Sequence, residues 1–304
     1  MTRPVVRLLL AIPITGMLLA SSLAAAWFAL GSPQPAAGIT WFTVHKIGTE
    51  AHLTDAPDAP FYFLALGNDG RTDADPGLGD AIHVIGVNPA LKSATIIDIP
   101  RDTEGPGGAK INSYIVNNPG GNDLRTEADA VSSIVGVPIS WVIRANFPHF
   151  QQMVDEIGGI DVNIPAPMDD DFSGAHFPAG PAHLNGEQAL QFSRDRHSFS
   201  NGDLTRSSNQ GLLIVSALQT IQAKHPSAGD TVRLIATLGR HTKLDGVGIS
   251  DLFHMGSLSL TFDPANVKNV VLPVGAGSGS NLVKTGDADS LLADFADDGV
   301  LQSH

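Results

Sequence analysis

From Leu8 to Leu30 the chain reads LLLAIPITGMLLASSLAAAWFAL, 23 residues without a charge. As a helix this run is long enough to cross a hydrocarbon core of about 30 Å. Arg3 and Arg7 precede it and the next basic residue is Lys46, an asymmetry that places the N-terminus in the cytoplasm. Two readings fit the run: an uncleaved anchor, or a signal peptide cut near Leu23–Trp27. Its length exceeds the usual apolar region of a signal peptide and favours the anchor. In either case the rest of the chain sits outside the cytoplasm. The expected division is a cytoplasmic N-terminus (1–7), a transmembrane anchor (8–30), a linker (31–40) rich in Pro, Gly and Ala, and one extracytoplasmic domain (41–304).

Charge and cysteine content narrow the functions open to that domain. The 304 residues carry 18 Lys and Arg against 31 Asp and Glu, a formal net charge of −13. Such a chain lacks the broad basic face that nucleic-acid backbones require. With no cysteine, disulfides, thiolate metal sites and thiol catalysis are excluded.

Strand-like stretches occur at 39–47, 61–67, 81–88, 93–99, 140–147, 160–165 and 266–274, rich in β-branched or aromatic residues. The pair 81–88 and 93–99, separated by Pro89–Lys92, predicts an antiparallel hairpin. Helical spacing of apolar residues marks 124–136, 147–159, 204–222, 231–239 and 250–260. This irregular alternation predicts an α/β fold, an α-β-α sandwich with a mixed central β-sheet.

Of the nine arginines beyond Leu30, five fall in three polar segments. The first, GNDGRTDADPGLGD, follows a strand and holds Asp69, Arg71 and Asp80. The second, IPRDT, holds Arg101 and Asp102, with Lys110 soon after. The third, SRDRHSFSNGDLTRSSNQ, holds Arg194, Arg196, Arg206 and Gln210. Guanidinium groups contact phosphate oxygens in pairs, and carboxylates among them suit a divalent ion, so convergence of the segments would make a pyrophosphate site. Read as an extended strand, Arg194 and Arg196 share a face. Arg206 and Gln210 share a face at the start of the long helix, for which Asp203 is the natural N-cap. MDDDF, at 168–172, reads as a solvated turn, His197 as a neutral structural residue, and GAGSGS at 275–280 as a flexible loop. No GxSxG, HExxH or Walker A motif is present.

In their order, LGNDGR, GDAIHVIGVNP, IPRDT with KIN, FPHFQQMVDEIGGIDVNIP, HLNGEQALQFSRDRH and GDLTRSSNQ resemble the LytR–CpsA–Psr family of cell-wall glycopolymer ligases. The resemblance is centred on residues 61–222. It implies a single domain of that type behind a single-pass anchor in a bacterial cell membrane. It also implies phosphotransfer of a glycopolymer from a polyprenyl-pyrophosphate carrier to peptidoglycan, with pyrophosphatase as a side activity. Membrane, carrier-linked glycan and peptidoglycan are the partners so implied, with Mg2+ as cofactor and no nucleic acid. By the family pattern Asp69 and Asp80 hold the metal. Arg71, Arg101, Lys110, Arg194, Arg196, Arg206 and Gln210 hold the pyrophosphate, and Arg101, Asp102, Arg194 and Arg196 serve catalysis. Helices 124–135, 147–157 and 211–221 are candidates for walls of a prenyl groove. Two departures stand out: Ala81 follows Asp80 where a hydroxyl residue is usual, and Asn209 stands where a further arginine is common. They keep open a carrier-binding protein without turnover; transcriptional attenuation is a weaker alternative, opposed by the charge.

Overall fold

The computed structural model describes residues 42–47, 58–70, 77–114, 124–224, 242–246 and 249–302. The apolar run 8–30, the linker, Arg71 and the helix expected at 231–239 lie outside the described residues. Among those described, no helix is long and apolar enough to cross a membrane.

Seven strands make the central sheet: β1 (Phe42–Lys46), β2 (Phe61–Asn68), β3 (Gly79–Asn88), β4 (Ser93–Asp98), β5 (Trp141–Asn146), β10 (Thr242–Asp245) and β11 (Val267–Val271), in the order β10-β1-β5-β2-β3-β4-β11. The sheet is mixed, as expected. Strand β2 pairs parallel to β5 and antiparallel to β3, and β3–β4 is the anticipated hairpin. One face packs on helix α1 (Arg125–Val135) and on the last helix, α6 (Gly286–Asp298), through Leu64, Val84, Val131 and Phe295. The other face packs Ile85, Ile96 and Trp141 against α4 (Gly202–Ala223) and α5 (Ile249–Ser259). A third apolar cluster lies beyond α4. It joins α2 (Phe147–Glu156) and α3 (Gly186–Arg194) to short strands β6 (Ile160–Ile164), β7 (Met168–Asp170), β8 (Ala175–Phe177) and β9 (Gly180–Leu184). Strands β12 (Val274–Ala276) and β13 (Leu282–Lys284) form a separate hairpin.

Register decides where the interior is left open. On the α4 side, Ala81, Gly67 and Ala145 lie side by side across β3, β2 and β5. The next row is His83, Ala65 and Ile143, and the row after it Ile85, Phe63 and Trp141. Side chains therefore grow from one sheet edge inward, and the small rows cannot fill the space beneath α4. At Gly211 the helix comes so close to the sheet that a Cβ would collide with the Asn269 amide and the Asp98 carboxylate. A side chain there would push α4 outward.

Three expectations change. Arg194 and Arg196 do not lie on one extended strand: residues 186–194 are helical, because Asn185 caps the helix and exchanges hydrogen bonds with Gln188 in a complete capping box. Arg194 therefore ends α3 and Arg196 lies in the loop after it. Asp203 is not the N-cap of α4: Asn201 holds that position, without a side-chain cap bond, and Asp203 is in the first turn. Helix α1 (124–135) packs on the opposite face of the sheet and lines no part of the open space.

Candidate functional site

The open space is a cavity of about 490 Å³. Its floor is the row of small residues on β2, β3 and β5. Its walls come from Phe150 and Met153 of α2, Leu190 of α3, and Leu213, Ile214 and Ala217 of α4. Polar groups gather at the sheet edge where β2 ends and β3 begins. Asp80, Arg101, Arg194, Arg196, Arg206 and Gln210 all line the cavity, although the sequence spreads them over more than 100 residues.

Asp203 is the hub of this cluster. Its carboxylate lies 3.4 Å from Arg206 Nη2, 3.9 Å from Arg196 Nη1 and 4.0 Å from Arg101 Nε. Asp80 accepts a hydrogen bond from Arg101 Nη1 at 2.8 Å. Gln210 Nε2 donates to the carbonyls of Asp80 (3.3 Å) and Ser193 (3.0 Å), joining β3, α3 and α4 at one point. Arg194 lies over the Phe147 ring, 5.2 Å from its centre, a cation–π contact. Asp102 and Lys110 pair with each other at 2.9 Å and do not line the cavity; Asp102 also stands 3.9 Å from Arg101 Nε.

The arginines differ electrostatically. Burial works against the charged form of Arg101, but the hydrogen bond and charge of Asp80, with Asp203 and Asp102, outweigh it and raise its pKa. For Arg206, burial prevails over Asp203 and Asp80, and its pKa falls. Its Nε and Nη2 are buried and lack a hydrogen-bond acceptor, as does Arg101 Nε. Buried, unsatisfied cationic donors are costly, and an anion with several oxygens would relieve them.

Asp69 lies where β2 ends. Its Oδ1 accepts from the Leu78 N–H at 2.5 Å, and its own N–H donates to the Leu78 carbonyl. Gly77, at φ +58°, leaves room for that turn: a Cβ there would collide with Gly70 and press on Asp69. Among the described residues no three acidic or histidine side chains converge as a metal cage.

Two further groups escaped the sequence reading. The turn at MDDDF is only partly solvated: Asp169 and Asp171 are exposed, but Asp170 is buried and oriented. Burial disfavours its charge, yet hydrogen bonds from His197 and from the Phe172 and Arg196 N–H groups hold its carboxyl well below the usual range. His197 is structural in this respect, with Nδ1 3.0 Å from Asp170.

His83, on the cavity floor, meets Asp98 at 2.6 Å, both fully buried. The Asp98 pKa is pushed up to about 6, chiefly by burial and against the opposing pull of His83 and Asn269. A carboxyl raised above its unfolded value holds its proton more firmly when folded, so its contribution to stability declines as pH rises from about 4 to about 6. Asp98→Asn is expected to flatten that slope in urea midpoints measured from pH 4 to 7; an unchanged slope would show that Asp98 titrates as in the unfolded chain.

Comparison with known proteins fits this arrangement. The family model described as the LytR_cpsA_psr family matches residues 43–292. The chain belongs to the LytR–CpsA–Psr family. A curated relative is the polyisoprenyl-teichoic acid–peptidoglycan teichoic acid transferase TagV of Bacillus subtilis, 30% identical over 177 residues, which are 55% of this chain and 45% of TagV. The transferase TagU of Bacillus mycoides is 36% identical over 154 residues, 50% of this chain and 49% of TagU. The chain thus spans about half the length of the curated relatives it matches. Among solved structures, the LytR-Csp2A-Psr enzyme from Actinomyces oris superposes with a TM-score of 0.66 at 23% identity, covering 86% of this chain and 96% of that one. The mixed sheet with flanking helices is therefore the family fold.

Proposed function

We propose that this protein transfers a glycopolymer from a polyprenyl-pyrophosphate carrier to peptidoglycan, as a phosphotransferase anchored in the membrane by residues 8–30. The observation that carries this reading is the buried Arg206 guanidinium, with two nitrogens lacking acceptors, at the polar end of a cavity whose walls are mainly apolar. Arg101, Arg194, Arg196 and Gln210 share that cavity and supply the remaining donors for a diphosphate. The alanine- and glycine-floored part has the shape and polarity for the start of a prenyl chain. The transferase names of TagV and TagU point the same way.

In the reaction, a peptidoglycan hydroxyl oxygen bonds the phosphorus that carries the glycan. The bridging P–O bond breaks, polyprenyl phosphate leaves, and the hydroxyl proton is lost. Arg101, Arg196 and Arg206 hold the phosphates and neutralise the charge that grows on the leaving oxygen. Asp69 and Asp80 each keep one carboxylate oxygen outside the bonds described above, a hard donor pair of the kind Mg2+ takes when substrate and water complete its shell. When bound there, Mg2+ would add positive charge beside the phosphate oxygens. Asn209 is buried and does not line the cavity.

The test is single-turnover transfer from a labelled lipid-linked glycan to peptidoglycan fragments. Arg101→Ala and Arg194→Ala are each expected to slow it by about 100-fold. Rates equal to the parent's would overturn the assignment.

A further inference from the structure

Phe172 is the most exposed large hydrophobic residue among those described, at 82%, and it lines the mouth of the cavity. Single exposed apolar side chains are common and need no explanation. Phe172 differs because its backbone and its ring neighbour are fixed from one buried point. Asp170, 2% exposed, accepts the Phe172 N–H at 2.9 Å and the Arg196 and His197 N–H groups at 3.3 and 3.4 Å. The same carboxylate holds His197 Nδ1 at 3.0 Å, and the His197 ring lies against Phe172 with centres 4.8 Å apart. Asp195, fully buried, fixes the following turn through the Ser198 N–H. A phenyl face thus faces water against the ring of His197, the residue that follows Arg196 of the phosphate-binding cluster.

We propose that Phe172 and His197 form a platform for a neutral pyranose ring of the acceptor glycan. This rests on the transferase reading above. The C–H face of a sugar, slightly positive, stacks on the negative face of an aromatic ring, while its hydroxyls need polar partners at the ring's edge. Asp171 precedes Phe172 and Asp169 lies two residues before that, both with exposed carboxylates, met among the described residues by His176 at 3.4 and 2.7 Å. They accept hydroxyl hydrogen bonds and repel polyanions. A phosphate-rich polymer or an anionic lipid surface is disfavoured there for that reason, whereas an uncharged amino sugar is not. A sugar so placed would bring its strand to the mouth at Arg196, where the carrier's phosphates arrive.

The test uses the full chain in detergent and two probes: chitotetraose, a neutral N-acetylglucosamine tetramer, and geranyl pyrophosphate. Phe172→Ala, at an exposed position, is expected to weaken chitotetraose binding by about tenfold and Phe172→Tyr to preserve it, with geranyl pyrophosphate affinity unchanged in both. Absence of chitotetraose binding to the parent, or equal affinity in the alanine variant, overturns the platform. A fall in geranyl pyrophosphate affinity on Phe172→Ala also overturns it, because the ring would then serve the lipid. Failure of the underlying reading shows separately, as no binding of geranyl pyrophosphate by the parent.

Discussion

Arg206→Met is expected to melt at a higher temperature than the parent and to lose pyrophosphate binding by about 100-fold or more. Both effects have one cause. The guanidinium is 4% exposed, its pKa is lowered by burial, and two of its nitrogens lack acceptors. An apolar side chain of similar length removes that penalty, and Asp203 keeps Arg196 and Arg101 as charge partners, so no buried carboxylate is left unpaired. Hydrogen bonds to a charged group contribute about 1.5–3 kcal/mol each, so losing two of them in the complex exceeds the roughly 2.8 kcal/mol that equals 100-fold. Thermal unfolding with and without inorganic pyrophosphate reads both quantities. The parent should shift upward with ligand and the variant should not; equal shifts would mean that the anion binds elsewhere.

Ala217→Phe is expected to separate tail from head group. Ala217 lines the cavity from α4, about two helical turns beyond Gln210, whose side chain meets Asp80 at the polar end. A phenyl group there occupies space otherwise open to a lipid. Each buried methylene contributes about 0.8 kcal/mol, so excluding one five-carbon unit, about 4 kcal/mol, lowers prenyl pyrophosphate affinity by roughly 1,000-fold. Affinity for inorganic pyrophosphate should stay at the parent's value, since the arginines are untouched. If long- and short-chain carriers weaken equally, the space does not hold the tail.

What could be read from the amino acids alone follows the range of the forces involved. The β3–β4 hairpin was legible because β-branched residues flank a proline-bearing turn, and Arg206 and Gln210 because helical spacing is local. Helix α3 was hidden by the Arg194–Arg196 pair, which invites an extended reading; the outweighing signal was Asn185 with Gln188, a capping pair eight residues upstream of Ser193. In MDDDF, three like residues gave no hint that the two-residue period of β7 turns Asp170 inward while Asp169 faces water. The cavity floor had no sequence signal. Gly67, Ala81 and Ala145 are unremarkable in their own segments, and only cross-strand register sets them side by side. Asp203 appeared as a cap because a carboxylate at a helix start is expected there; of its three guanidinium neighbours, Arg196 and Arg206 are close in sequence, but Arg101 comes from a distant part of the chain.

Asp203 has a kinetic consequence. A carboxylate shared by three guanidiniums, one of them also held by Asp80, would be a resident understudy for the proposed substrate: it keeps the cations from repelling one another before the diphosphate arrives and yields when the phosphates enter. On the function proposed above, it would reclaim those partners at the end of the cycle as the lipid monophosphate departs. The grip can then be strong during bond exchange without trapping the spent carrier.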